Sequence, residues 1–213
     1  MAAITYGQPG NSLERSPIAG DASSSRRGAY FERRVAAAIG CWLSRRRDTV
    51  HVFHDLTGFN NVTGANLGSM DLGRSNIDHL LLTGRGWVMI DAKGCGAGRL
   101  TIDRHGKGIL IDTAGTARPQ PWMDDLHSYS RAGIVYRLTS GKAGEAVWVL
   151  PDETQYDDTI AEARFAQRGG TVLSLTELGD GALDELAPLA FPAPPASPAD
   201  IARLCRHLSA PTT

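Results

Sequence analysis

Between Asn76 and Gly94 the chain reads NIDHLLLTGRGWVMIDAKG, and this stretch restricts the fold more than any other. Ile77 to Leu82 is an apolar run, Thr83-Gly84-Arg85-Gly86 is rich in turn formers, and Trp87 to Ile90 is a second apolar run. Two such runs across a Gly-containing connection predict a β-hairpin. Asp91 and Lys93 then arrive at the end of a strand that otherwise reads as buried. Side chains two apart on a strand share a face. Asp78 stands near the start of the partner strand. A two- or four-residue connection sets Asp78 opposite Asp91 on one face, whereas a three-residue loop shifts the pairing and needs a bulge.

Charges gathered at the edge of an apolar hairpin are costly unless they pair or bind a metal. Two carboxylates a few ångströms apart repel at neutral pH, and a divalent cation removes that repulsion. A hard cation such as Mg²⁺ keeps waters, one of which can attack a phosphate, and a neighbouring lysine can stabilise charge or position that water. The plainer alternative is a solvated strand end, with Asp91 and Lys93 as a weak surface pair.

The 213 residues are enough for one domain with a substantial core. The net charge of −1 excludes a polycation. The charge is uneven: residues 1–50 hold eight Arg against four acids, leaving 14 basic and 19 acidic residues beyond. An anionic partner is therefore expected near the N-terminal helix. Cys41, Cys95 and Cys205 are odd in number and widely spaced, which fits neither a zinc pattern nor a disulfide framework. No apolar run is long enough for a membrane span and no signal-peptide core is seen, so a cytoplasmic location is expected.

Residues 1–25 are rich in Gly, Ser, Pro and Ala and read as a flexible arm. A helix is predicted from about Ser25 to Arg47, with Phe31, Val35, Ala38, Ile39 and Trp42 on one face. Glu32 lies beside that face, placed to point toward a sheet or to pair with a nearby Arg. Arg45, Arg46 and Arg47 complement the dipole at the helix end and, with Arg33 and Arg34, are candidate nucleic-acid contacts. Val50 to Leu56 predicts a strand, on which His51 and His54 do not share a face. Thr57 to Arg74 predicts a long loop. After the hairpin, Gly94 to Gly98 contains GxGxG but opens no clear helix, so a nucleotide loop is weakly supported. Leu100–Asp103 and Gly108–Asp112 predict a second hairpin, and Trp122–Thr139 a helix. Ala146–Leu150 predicts a central strand, Gly170–Leu175 another, and Thr176 opens a short helix. Pro188–Pro198 reads as a Pro/Ala linker and Ala199–Leu208 as a small amphipathic helix. The expectation is an α/β fold with a mixed central sheet flanked by helices. Its main domain spans 26–187, between an arm at 1–25 and a linker with a short helix at 188–213.

Three pieces of this pattern resemble the nuclease-related domain (NERD) family of the PD-(D/E)XK, restriction-endonuclease-like superfamily. Gly28-Ala29-Tyr30-Phe31-Glu32-Arg33-Arg34-Val35 resembles its opening helix G-x-x-G-E-x-x-V. Asn76-Ile77-Asp78-His79 resembles its D-(I/V)-D-H strand, and Ile90-Asp91-Ala92-Lys93 its (I/V)-E-x-K or D-x-K strand. Val149-Leu150-Pro151 and Val172 to Leu178 resemble its closing strands, so the likeness spans roughly Gly28 to Leu178. Two departures stand out. Phe31 replaces the second Gly of the opening motif. No Gln opens the helix after the sheet, where Asp124 or Trp122 falls depending on which proline is aligned.

The resemblance implies a Mg²⁺- (or Mn²⁺-) dependent phosphodiesterase centre. Asp78 and Asp91 would be the metal ligands, Glu32 a further acid and Lys93 a group near the scissile phosphate. The implied partner is nucleic acid, DNA first, with a homodimer as a further expectation, since related folds often pair to cut both strands. The alternative is a non-catalytic nucleic-acid-binding or assembly module that keeps the fold. A small-molecule enzyme using the Gly94–Gly98 loop is the third reading.

Overall fold

The computed structural model describes residues 3–15, 22–59, 76–124, 127–156 and 170–209. In chain order its elements begin with β1 (Ile4–Tyr6), α1 (Asn11–Arg15), α2 (Ala22–Ser44), β2 (His51–Leu56), β3 (Ile77–Leu82) and β4 (Trp87–Ala92). Next come β5 (Gly98–Ile102), β6 (Gly108–Asp112), β7 (Ala117–Pro119), a 3₁₀ turn (Pro121–Met123) and α3 (His127–Leu138). The chain continues through β8 (Gly144–Leu150), β9 (Thr154–Tyr156), β10 (Gly170–Ser174) and α4 (Leu175–Asp180). Two 3₁₀ turns (Ala182–Glu185 and Ala187–Leu189) and α5 (Pro198–Cys205) complete it.

Six strands form a mixed sheet in the order β1-β2-β3-β4-β8-β10. The centre is an antiparallel meander of β2, β3 and β4. β8 joins β4 in parallel, β10 joins β8 in parallel, and β1 lies parallel to β2. The strands are apolar on both sides because helices cover both faces. Phe31, Val35, Ile39 and Trp42 of α2 pack on Leu81, Val88, Ile90, Val147 and Val149. Ile134, Val135 and Leu138 of α3, with Leu204 of α5, pack on Phe53, Leu80, Leu82, Trp87 and Met89. Odd and even strand positions thus feed different cores, as the two-residue period requires. Each large side chain buried this way contributes roughly 1.5–3 kcal/mol. At two strand starts of this sheet the packing leaves room only for glycine. A Cβ on Gly144 would stand 2.1 Å from the Trp87 ring, and one on Gly170 1.7 Å from the Trp148 ring.

The segment between β4 and α3 builds a second sheet, ordered β7-β6-β5-β9. It contains the expected second hairpin, with Leu100 opposite Leu110. Leu100, Leu110 and Met123 pack on Trp148 and Leu150 of β8, so this sheet walls one side of the main sheet beyond the end of β4. The helix expected over Trp122–Thr139 is divided here: Pro121–Met123 is a 3₁₀ turn and the α-helix occupies His127–Leu138. No helix among the described residues is long and apolar enough to cross a membrane.

Two expectations are corrected. Within the arm expected at 1–25, residues 3–15 are built into the body. Ile4–Tyr6 pairs with His51–Phe53, and the Ser12 N–H donates to Asp55 Oδ2 at 2.6 Å. The Pro/Ala stretch from 188 onward is not a linker but a packed strap. Pro188, Leu189, Ala193 and Ala196 are buried. The hairpin connection clasps this strap. Thr83 Oγ1 donates to the Pro188 carbonyl at 2.6 Å, and the Gly84 N–H donates to the Pro194 carbonyl at 2.6 Å. The loop expected over Thr57–Arg74 lies from residue 60 onward outside the described residues.

Candidate active site

The hairpin register decides where the acids fall. Leu82 pairs with Trp87, Leu80 with Met89 and His79 with Ile90, so the connection is the four residues Thr83–Gly86. The next step outward sets Asp78 against Asp91, on the sheet face that α3 covers. Asp78 Oδ2 accepts the Ala92 N–H at 2.8 Å. Lys93 Nζ lies 2.8 Å from Asp91 Oδ1. All three side chains therefore meet at the end of β4, as the four-residue register predicts.

Glu32 approaches from α2, which covers the opposite face, and reaches the same end of the sheet. It is 3 % exposed, and its Oε2 has no hydrogen-bond partner. The Gly10 backbone N–H supports its carboxyl, but burial first and then the charges of Asp78 and Asp55 push the pKa up to about 10. Asp78 is raised to about 7 by burial and by Asp91, against the opposing pull of Lys93, Arg131 and the Ala92 N–H. Asp91 behaves in the opposite way. Burial disfavours its charge, but Lys93 and Arg131 outweigh burial and hold it well below the usual carboxylate range. At neutral pH the cluster thus holds a protonated Glu32, an Asp78 near its midpoint and an ionised Asp91.

Arg131 is the residue that sequence reasoning missed. It projects from α3 and donates from Nη2 to Asp91 Oδ2 at 2.9 Å and from Nη1 to the Asn76 carbonyl at 3.0 Å. Asn76 in turn donates from Nδ2 to Asp55 Oδ1 at 3.2 Å. Asp55 is fully buried at a positive φ of 56° and also accepts from the Ser12 N–H and the Ser209 hydroxyl. A chain of contacts thus runs from the N-terminal segment through Asp55, Asn76 and Arg131 to Asp91. Trp122 stands beside Lys93. Its ring lies 5.7 Å from Lys93 Nζ, and its indole N–H is fixed by Gln120 Oε1 at 2.9 Å. Behind the acids, His54 and His79 share a buried Nδ1–Nδ1 hydrogen bond of 2.7 Å. Burial lowers His54 to about 4 and His79 well below its ordinary value, so both are neutral at pH 7.

Among the described residues no group of three or more His, Cys, Asp and Glu side chains is arranged to hold a metal ion. The donors do fit a sparser site. Mg²⁺ is commonly held by one or two carboxylates with waters and substrate oxygens completing the shell. A carboxylate has about four lone-pair directions; Asp91 commits one on each oxygen to Lys93 and Arg131, Asp78 commits one on Oδ2 to the Ala92 N–H, and the two acids share a hydrogen bond, which leaves room for a cation on both. The raised pKa values of Asp78 and Glu32, and the orphaned Glu32 oxygen, are strains that a dication would relieve.

The arginines expected at nucleic acid are not gathered at this centre. Arg33 is exposed and pairs with Glu14 at 2.6 Å, and Arg34 stacks on Phe31 at 5.9 Å. Arg45, Arg46 and Arg47 stand at the far end of α2, about 18 Å away along the axis at 1.5 Å per residue. Arg46 is structural rather than a free cation. Its side chain is 4 % exposed, bridges Asp48 and Asp184, and lies 4.7 Å over Trp42. No protein-family model, curated protein or solved structure matches the chain.

Proposed function

We propose that the chain is a Mg²⁺- or Mn²⁺-dependent nuclease that hydrolyses phosphodiester bonds in nucleic acid, with DNA as the first substrate to test. The observation that carries this reading is the meeting of Asp78, Asp91 and Lys93 at one strand end, with the buried Glu32 beside them. The order of helix, antiparallel meander, helix and parallel strand is in keeping with the restriction-endonuclease-like fold that the sequence resembles. Three free cysteines are in keeping with a reducing cytoplasm.

Asp78 and Asp91 would hold the cation. When bound, it supplies a polarised phosphate oxygen and a water of lowered pKa. Lys93 offers its ammonium to charge developing on the phosphate oxygens. Arg131 fixes the Asp91 carboxylate from the opposite oxygen, and Glu32 keeps a buried proton at neutral pH. The Trp122 ring shields Lys93 on one side. A second reading, a non-catalytic nucleic-acid-binding module, draws on one feature: both Asp91 oxygens are already in ion pairs. Nicking of supercoiled plasmid by the purified chain, with Mg²⁺ or Mn²⁺ against an EDTA control, separates the two. Mn²⁺ binding by calorimetry without nicking of DNA or cleavage of RNA would favour the module.

A further inference from the structure

The far end of α2 carries a cleft of about 650 Å³, lined by Arg45, Arg46, Arg47, Asp184, Ala190 and Phe191. Its volume lies within the range of small-ligand sites. Phe191 is 58 % exposed, yet the chain on both sides of it is fixed. Arg85 donates from Nη1 to the Ala190 carbonyl at 3.1 Å and from Nη2 to the Pro192 carbonyl at 2.9 Å. The Ala193 N–H donates to Asp48 Oδ2 at 2.9 Å. The Arg46 guanidinium lies 5.7 Å from the Phe191 ring and is itself held by Asp48 and Asp184. An aromatic ring is thus kept in water on a pinned loop, with a neutralised arginine beside it. Arg46 is outweighed by two carboxylates, Asp48 and Asp184, so it is Arg45 and Arg47 that keep the rim net positive. Arg45 is anchored by one nitrogen to the Gly179 carbonyl, and Arg47 is exposed.

A rigid aromatic face flanked by guanidiniums matches a nucleotide strand, whose bases stack on rings and whose phosphates take arginine. We propose that Phe191, Arg45 and Arg47 bind single-stranded nucleic acid, a base stacking on Phe191 and phosphates meeting the two arginines. Paired bases expose no face to the ring, so duplex should bind less well. This site rests on the nucleic-acid reading above but is separate from the acid cluster.

Fluorescence anisotropy with labelled oligothymidylate in EDTA tests it without cutting. Oligothymidylate should bind the parent more tightly than a duplex of the same length. Phe191→Ala should weaken binding about 5- to 150-fold, the usual range for a lost stacking contact, with its melting temperature unchanged. Phe191→Trp should retain binding, with its emission quenched. Arg47→Ala should make the slope of log affinity against log salt less negative by about 0.7. Equal binding by Phe191→Ala and the parent, equal or tighter binding of duplex, or no binding by the parent overturns the proposal. Plasmid nicking by a protein that binds no oligothymidylate would remove this site and leave the acid cluster standing; binding without nicking in either metal would do the reverse.

Discussion

Replacing Glu32 by Gln should stabilise the metal-free protein, although the substitution falls on a buried group inside the candidate site. The reason is protonation. In the folded chain Glu32 titrates at about 10, against 4.5 as its ordinary value. A folded pKa above the unfolded one makes stability greatest below pH 4.5, and stability is then lost as pH rises toward 10. Within that window the slope is about −1.4 kcal/mol per pH unit. At pH 7 the interval already crossed is about 2.5 units, so holding the proton on Glu32 costs about 3 kcal/mol. A glutamine has nearly the same shape and nothing to ionise, so it removes that cost. Glu32→Gln should gain about 1 kcal/mol at pH 5, about 3 at pH 7 and about 6 at pH 9. For a chain of this length, 3 kcal/mol corresponds to roughly 6–12 °C in Tm. Urea unfolding in EDTA at the three pH values measures it. Added Mg²⁺ should narrow the gap, because a dication favours the ionised carboxyl that only the parent has. A gain independent of pH, or a loss of stability at pH 7, would refute the assignment of Glu32 as a buried, protonated acid.

Lys93→Met should bind Mn²⁺ about as well as the parent and cut plasmid about 10²–10³-fold more slowly, the usual cost of losing one donor to transition-state charge; parental cutting by this variant would remove Lys93 from the chemistry. Arg131→Met should lower stability by about 2 kcal/mol, the order of a lost charge-assisted hydrogen bond, yet tighten Mn²⁺ binding in calorimetry because it frees Asp91 Oδ2. Asp55→Ala should lose about 3 kcal/mol by stranding the Ser12 N–H and the Asn76 amide, and should raise amide exchange across residues 3–15; unchanged exchange there would show that β1 alone holds the N-terminal segment.

The central hairpin was legible because its pattern leaves few alternatives. Leu80 to Leu82 and Trp87 to Ile90 admit no polar face, so the strands had to be covered on both sides. The sequence left the connection at two, three or four residues; the structure closes it at the four residues Thr83–Gly86, one of the lengths that set Asp78 against Asp91. Glu32 could be placed beside the sheet from helical spacing, but spacing could not choose between burial and an arginine partner. The choice depends on Gly10, whose N–H reaches the carboxyl from a segment read as an arm.

What could not be read is what depends on partners distant in sequence. β1 has only three residues, two of them exposed, so neither alternation nor hydropathy marks it. Its place comes from pairing with β2 and from Asp55, which holds Ser12 across 43 residues. Arg131 precedes the packed Ile134, Val135 and Leu138 by three, four and seven residues, on the side of α3 that packs, and a cation there hints at a buried acid without saying which. The arginine run at 45–47 did carry a usable signal. Arg46 follows Trp42 by four residues, the spacing at which a guanidinium meets an aromatic ring on a helix, and that contact forms. Composition misled most at the Pro/Ala stretch. Proline and alanine suit an extended spacer, but they also give the short, rigid side chains that fit a crevice. Here Arg85 and Thr83 from the hairpin turn supply the hydrogen bonds that an isolated strap lacks. The same turn that sets the register of the acids on one end of the hairpin therefore also fixes the Phe191 loop at the other. A one-residue change in turn length would disturb both sites, breaking the pairing of Asp78 with Asp91 and releasing the strap.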